Sequence, residues 1–292
     1  MQADNNNFIL GTANFGQRYG ISKKNKIKLY EIKKIIEYAN KNKIKFFDTS
    51  RSYKNSEKIL GKNIPKFSKI ITKIPPVPNS IKSSNIERWF KKQVLLSSKK
   101  LNVKKFHAIL LHKSEALLGK EGHKLYKVLI KLKKEKITKK IGVSIYNFDT
   151  LNKILKKFKI DVIQLPFNVF DQRLLYKKIR FYQSKPEIHI RSIFLQGLLL
   201  MSANKLPKKL RNFKKYWILW HKLLSENNMK PINACLNFIL NCKNKFDYIV
   251  VGCEDVNQLK QIVSYKREKN LKNFNNIRIK DKRFYSPFLL RR

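Results

Sequence analysis

The chain has 292 residues and a mass of 34.7 kDa, enough for one large domain or two ordinary ones and for burial of about three quarters of its surface. Hydrophobic residues make 42% and aromatics 12%, which excludes wholesale disorder, and no apolar run approaches the ~20 residues of a membrane-crossing helix. The net charge of +47 comes from 66 Lys plus Arg against 19 Asp plus Glu, but 54 of the 66 are lysines, spread through every segment without an arginine-rich arm. That distribution reads as a solvated basic surface with weak, salt-sensitive attraction for polyanions, and excludes a dedicated nucleic-acid site as the first reading.

Eight short apolar runs recur along the chain, each followed by a lysine-rich amphipathic stretch. They are Phe8 to Thr12, Lys45 to Asp48, Ile70 to Lys73, Ala108 to His112, Ile141 to Ser144, Asp161 to Leu165, Ile188 to Ser192 and Tyr248 to Gly252. Runs of this length, rich in Ile, Val and Phe, read as strands of a parallel sheet buried on both faces. Helices are expected over 30–42, 86–101, 125–132, 151–158 and 256–263, each with one apolar face. The longest gap, 194–247, holds an irregular segment with Pro207 and then two helical stretches, marked by Trp217 and Trp220 and by Ala234 and Phe238.

Eight βα repeats of roughly 33 residues predict a (β/α)8 TIM barrel in a single domain over 1–292. The tail from about residue 270, with Phe274, Phe284, Tyr285, Phe288 and two leucines, is expected to pack back on it. An open doubly wound sheet would carry a G-x-G-x-x-G turn after its first strand. Gly11-Thr-Ala-Asn-Phe-Gly16 lacks that spacing. The polar stretch Met1 to Asn7 does not have the order of a secretion signal. Cys235, Cys242 and Cys253 match no disulfide, zinc or CxxC pattern. A cytoplasmic location is expected, and no membrane partner.

The active site of such a barrel lies at the C-terminal ends of its strands. There the second, third and fourth runs end on Asp48, Lys73 and His112, and Tyr53 follows Asp48 by five residues. A phenol is a poor acid at neutral pH, but a neighbouring ammonium stabilises the phenolate. An aspartate beside the lysine would hold it charged, and a histidine would direct a carbonyl oxygen toward the phenol. The five histidines show no metal-ligand set, so no metal is expected.

These residues, with Gly11 to Gly16, Tyr19-Gly20, Phe47-Asp-Thr-Ser-Arg-Ser-Tyr53, Ser56-Glu57, Leu60-Gly61, Gln164-Leu-Pro-Phe-Asn168 and Gln196-Gly-Leu-Leu199, resemble the aldo-keto reductases over nearly the whole chain. The resemblance implies an NAD(P)H-dependent oxidoreductase that reduces a small aldehyde or ketone, with Asp48, Tyr53, Lys73 and His112 as catalytic tetrad and Tyr53 as acid. It implies NADPH as cofactor, with NADH as the alternative, bound by Gly11, Thr12, Ala13, Asp48, Ser144, Gln164, Arg191, Ser192, Gln196, Gly197, Gly252 and Gln258. Ser144 and Gln164 would hydrogen-bond the carboxamide.

Four positions depart from the family pattern. Lys54 stands where the family often has Gly, Ile145 where it often has Asn, and Arg191 where many members stack an aromatic on nicotinamide. The loop 252–259 lacks the Ser and Arg that many members use for a 2′-phosphate, leaving Lys260 or Lys266 as substitutes. The Ile145 and Arg191 changes motivate an alternative, a cofactor-binding barrel without turnover that acts as a sensor or partner subunit.

Overall fold

Eight parallel strands close into a barrel in strict chain order, each pairing with the next and the last pairing back with the first. The structure, a computed structural model, describes residues 7–21, 26–268 and 274–285. The strands are β1 (Phe8–Gly11), β2 (Phe46–Asp48), β3 (Lys69–Ile74), β4 (Phe106–Leu111), β5 (Thr138–Ser144), β6 (Val162–Pro166), β7 (Glu187–Arg191) and β8 (Tyr248–Val251). All eight runs read from the sequence form strands. His112, Ser192 and Gly252 fall one residue beyond their strands, in the loops.

The helices are α1 (Leu29–Lys41), α2 (Ser56–Asn63), α3 (Ile86–Leu101), α4 (Gly122–Lys134), α5 (Phe148–Lys157), α6 (Arg173–Tyr176), α7 (Lys214–Glu226), α8 (Pro231–Asn241) and α9 (Val256–Ser264). Their starts follow local chemistry. The Asn147 side chain accepts from the backbone N–H groups of Asp149 and Thr150 to cap α5, the Asp255 carboxylate accepts from Gln258 N to cap α9, and Pro231 opens α8. The repeat is uneven. After β6 the helix is a single turn, α6, while two helices, α7 and α8, separate β7 from β8.

Two apolar layers result. The larger lies between strands and helices; the smaller fills the barrel interior with Ile9, Phe46, Ile71, Ala108, Leu110, Val162 and Val250. Successive side chains of a strand point to opposite faces. Residues two positions beyond an interior residue therefore face the same axis, at the mouth. Phe46 is followed by Asp48, Ile71 by Lys73, Leu110 by His112, Val162 by Gln164 and Val250 by Gly252. The alternation that packs the interior thus aims the site residues.

Two devices brace the mouth. A Cβ at Gly16 would meet Ser56 N at 2.6 Å, so the first loop can lie on the start of α2 only with glycine there. The described part of the tail, 274–285, makes aromatic contacts with the barrel's loops and helices. Phe284 rests against Phe170 and Phe213, Phe274 against Phe238, and Gln172 Nε2 donates to Phe274 O at 2.7 Å. Met1 to Asn6, Phe288 and the terminal leucines lie outside the described residues. The three cysteines are free, and no helix among the described residues is long and apolar enough to cross a membrane.

The opposite end of the barrel carries a polar cluster unrelated to the mouth. Glu187 pairs with Lys140 and receives His189 Nε2 at 3.3 Å; His107 packs edge-on against Phe46 at 4.9 Å. Burial, reinforced by Lys140, pulls the His107 imidazole from 6.5 to about 4. Burial opposes ionisation of Glu187, but the hydrogen bonds and charges of His189 and Lys140 outweigh it and hold the carboxyl at about 2. Both folded values lie below the unfolded ones, so unfolding takes up protons in acid and stability falls with pH. The His107 contribution is lost between pH 6.5 and 4, and the Glu187 contribution between 4.5 and 2. The urea midpoint should therefore drop between pH 7 and pH 4, and His107→Phe should blunt that drop. An unchanged wild-type midpoint across the interval would contradict the assignment.

Candidate active site

Asp48 ends β2 with its carboxylate held on both oxygens. Oδ1 pairs with the Lys73 ammonium, and Oδ2 accepts from Gln164 Nε2 at 2.8 Å. Lys73 also donates to Thr49 O at 3.1 Å. Lys73 is 1% exposed and Asp48 4%, so this ion pair is shielded from solvent, which keeps the interaction strong and makes an unpaired partner costly. Burial pulls the Lys73 ammonium below the usual lysine value and the Arg191 charge adds to this, while Asp48 opposes it.

Tyr53 stands above this pair in the β2–α2 loop, pinned by Tyr53 N to Ser50 O at 3.0 Å and Ser56 N to Tyr53 O at 2.9 Å. The Lys73 ammonium lies 5.3 Å from the centre of the Tyr53 ring. The His112 ring meets Tyr53 edge-on, 5.7 Å between centres. His112 N donates to Ile74 O at 3.0 Å, which fixes the residue just past β4. The four residues therefore come together in space from β2, its loop, β3 and the end of β4.

They open into a cleft at the mouth of the barrel. Gly11, Ala13, Ser144, Gln164, Arg191, Ser192, Gln196, Gly197, Gly252 and Gln258 line it with them. Thr12 stands behind this lining. It is fully buried and its hydroxyl is spent in the loop, donating to Asp48 O at 3.1 Å and accepting from Ser56 Oγ at 3.2 Å. Thr12 fastens the first loop to α2.

The sequence model of the aldo/keto reductase family matches residues 7–282. The chain belongs to the aldo/keto reductase family. Among solved structures, an aldo-keto reductase from Bacillus halodurans in its holo form superposes with a TM-score of 0.69 at 16% identity, covering 93% of this chain and 90% of that one. The glycerol dehydrogenase of Gluconobacter oxydans superposes at 0.67 with 18% identity and the same coverage. At such identities the likeness is one of fold. No curated protein sequence matches the chain.

The departures from the aldo/keto reductase pattern have physical readings. Lys54 adopts φ 45°, in the left-handed region that glycine enters without steric cost. Ile145 is fully buried in the layer between strands and helices and gives the cleft no polar group. Arg191 lays its guanidinium 4.2 Å from the Tyr146 ring centre and donates to Ile145 O at 3.1 Å and Ser192 Oγ at 3.3 Å. Lys260 sits 5.9 Å from the Tyr38 ring, and Lys266 lines a separate groove; neither lines the cleft.

Several cleft residues were not singled out from the sequence as site residues: Asn14, Tyr19, Tyr146, Phe194, Leu200 and Glu254 among them. A signal existed for two. Tyr146 and Glu254 stand two residues beyond Ser144 and Gly252, so strand alternation carried one step into the loop finds both. Asn14 is placed by its amide donating to Cys253 O at 2.6 Å across the mouth.

A nicotinamide carboxamide fits the polar groups present. Gln164 must turn its NH2 to Asp48, because a carboxylate only accepts. Its Oε1 is then left buried without a hydrogen-bond partner, as is Asn14 Oδ1. Two buried acceptors on residues that line the cleft call for a donor from a ligand.

Proposed function

We propose that this aldo/keto reductase reduces an aldehyde or ketone to an alcohol with a nicotinamide dinucleotide, NADPH in the first instance and NADH as the alternative. The observation that carries the proposal is the buried Lys73–Asp48 pair beside Tyr53 and His112 at the wall of one cleft. The dinucleotide supplies the hydride that adds to the carbonyl carbon.

The chain's own residues handle the proton. A carbonyl oxygen seated between the Tyr53 hydroxyl and the His112 imidazole takes its proton from Tyr53 as charge develops on it. The Lys73 ammonium stabilises the phenolate left behind, and solvent then restores the proton. Asp48 holds Lys73 charged and aimed, and Gln164 fixes the far oxygen of Asp48. Ser144 and the free Gln164 oxygen would hold the carboxamide. Gly11, Ala13, Gly252 and Gln258, with Arg191, Ser192, Gln196 and Gly197, would enclose the rest of the dinucleotide. Few of these groups need to move for the reaction, which is how a preorganised site lowers a barrier.

Cofactor binding tests the proposal before any substrate is known. Titrated separately with NADPH and NADH, the protein should bind at least one with micromolar affinity, read by quenching of its tryptophan fluorescence. Gln164→Ala should weaken binding by about tenfold, the effect of one hydrogen bond in a closed site. A protein that binds neither dinucleotide is not this enzyme.

A further inference from the structure

Ser50 lies two residues past Asp48, is 1% exposed, and has a hydroxyl with three polar neighbours. Lys73 O is 3.2 Å away, Ser52 N 3.1 Å and His112 Nδ1 3.0 Å. A hydroxyl has one hydrogen to give and two lone pairs to receive. The Lys73 carbonyl can only accept, and the Ser52 N–H can only donate. With the hydrogen given to the carbonyl and one lone pair taken by Ser52, a lone pair remains toward the imidazole. Nδ1 must then bring the hydrogen. The reverse arrangement, hydroxyl to Nδ1, leaves the carbonyl contact unmade and forms two bonds where the first forms three. Buried polar groups settle in the arrangement that satisfies most of them.

We infer that Ser50 is a positioning residue that fixes neutral His112 as its Nδ1–H tautomer, so that Nε2 donates to a substrate carbonyl only when the imidazole is protonated. The consequence for rate rests on the proposed carbonyl reduction; the tautomer does not. In reduction, the second hydrogen bond to the carbonyl oxygen is present in acid and lost as pH rises through the titration of His112. In the reverse direction a neutral Nε2 accepts from the alcohol, which is the state that favours oxidation. The charged and titratable groups that share the cleft with His112 are Tyr53 from the β2–α2 loop, Asp48 and Lys73 from β2 and β3, Tyr19 and Tyr146 from the loops after β1 and β5, Arg191 from β7 and Glu254 from the loop after β8.

The tautomer can be read directly from long-range 1H–15N correlations on the full chain labelled at histidine, with the His112 signals assigned by their loss in His112→Gln. The neutral wild-type ring should carry its hydrogen on Nδ1. Ser50→Ala should move it to Nε2, and Ser50→Thr, which keeps a hydroxyl, should leave it on Nδ1. In the kinetic arm, wild-type reduction should fall by about 10²-fold, the effect of losing one donor to the developing oxyanion, as pH rises through the His112 titration seen in the same spectra. Ser50→Ala should flatten that limb at unchanged NADPH affinity, and Ser50→Thr should restore it. A wild-type ring protonated at Nε2, or a Ser50→Ala ring with the wild-type tautomer, overturns the inference. Absence of carbonyl reduction in every variant would instead count against the proposed function, while the spectra still decide the role of Ser50.

Discussion

Tyr53→Phe lowers carbonyl reduction by about 10²–10⁴-fold, the usual worth of a positioned general acid, while dinucleotide affinity stays within twofold of wild type. The ring that packs against His112 at 5.7 Å and lies 5.3 Å from the Lys73 ammonium is kept. Only the hydroxyl is removed, so the fold and the cleft wall remain. The loss belongs in kcat rather than in KM, because the hydroxyl acts on the oxygen as it becomes basic. Rates under single-turnover conditions, with affinity measured separately, check this. Equal turnover in the two proteins would remove Tyr53 as the acid.

Lys73→Met costs catalysis by a similar factor, and it also costs stability. The methionine matches the stem that crosses the buried end of β3 but strands the Asp48 carboxylate, which is 4% exposed. Removing one partner of a buried pair destabilises by about 3–5 kcal/mol. Lys73→Met with Asp48→Asn should recover most of that stability, since a neutral amide needs no counter-ion, yet recover none of the activity, since no charge remains beside the phenol. Thermal unfolding and turnover on the three proteins separate the two effects. Full activity in Lys73→Met, or activity that returns with stability in the double variant, would show that Lys73 serves as scaffold alone. The depressed Lys73 pKa adds a pH corollary. Its charge is lost at lower pH than that of a free lysine, so reduction declines on the alkaline side.

The strands were legible because most are built around a short apolar run, unbroken in β1 (FILG) and interrupted by single polar residues in β3 and β6, in a fold where both faces are covered. The candidate site was legible for the same reason: an ionisable residue that closes such a run stands out. Less could be read where polarity ends and geometry begins. Thr12 reads like its glycine and alanine neighbours, yet its hydroxyl is consumed by Asp48 O and Ser56, 36 and 44 positions away in sequence. Asn14 reaches the cleft through Cys253 O, 239 positions away. Tyr146 and Glu254 were within reach of the period-two pattern, which the mostly apolar runs hid, since such runs show little alternation of their own. The single turn of α6 leaves only Leu174 among its residues to be buried, too little for an amphipathic stripe. Glu187 and His189 share one face of β7 by alternation, but His107 joins them from β4 only on barrel closure, so the cluster as a whole had no sequence signal.

The most direct test of carbonyl reduction is a balance of products. Wild-type protein is incubated with NADPH, or NADH where that binds more tightly, and a panel of aldehydes and ketones. Oxidised dinucleotide and alcohol are then quantified together over many turnovers. The expected result is at least one carbonyl converted with one alcohol formed per dinucleotide oxidised, with Tyr53→Phe run beside it and nearly inert. Tight dinucleotide binding with no alcohol from any carbonyl, or oxidation that proceeds equally in Tyr53→Phe, would contradict the reading of this barrel as a reductase whose acid is Tyr53.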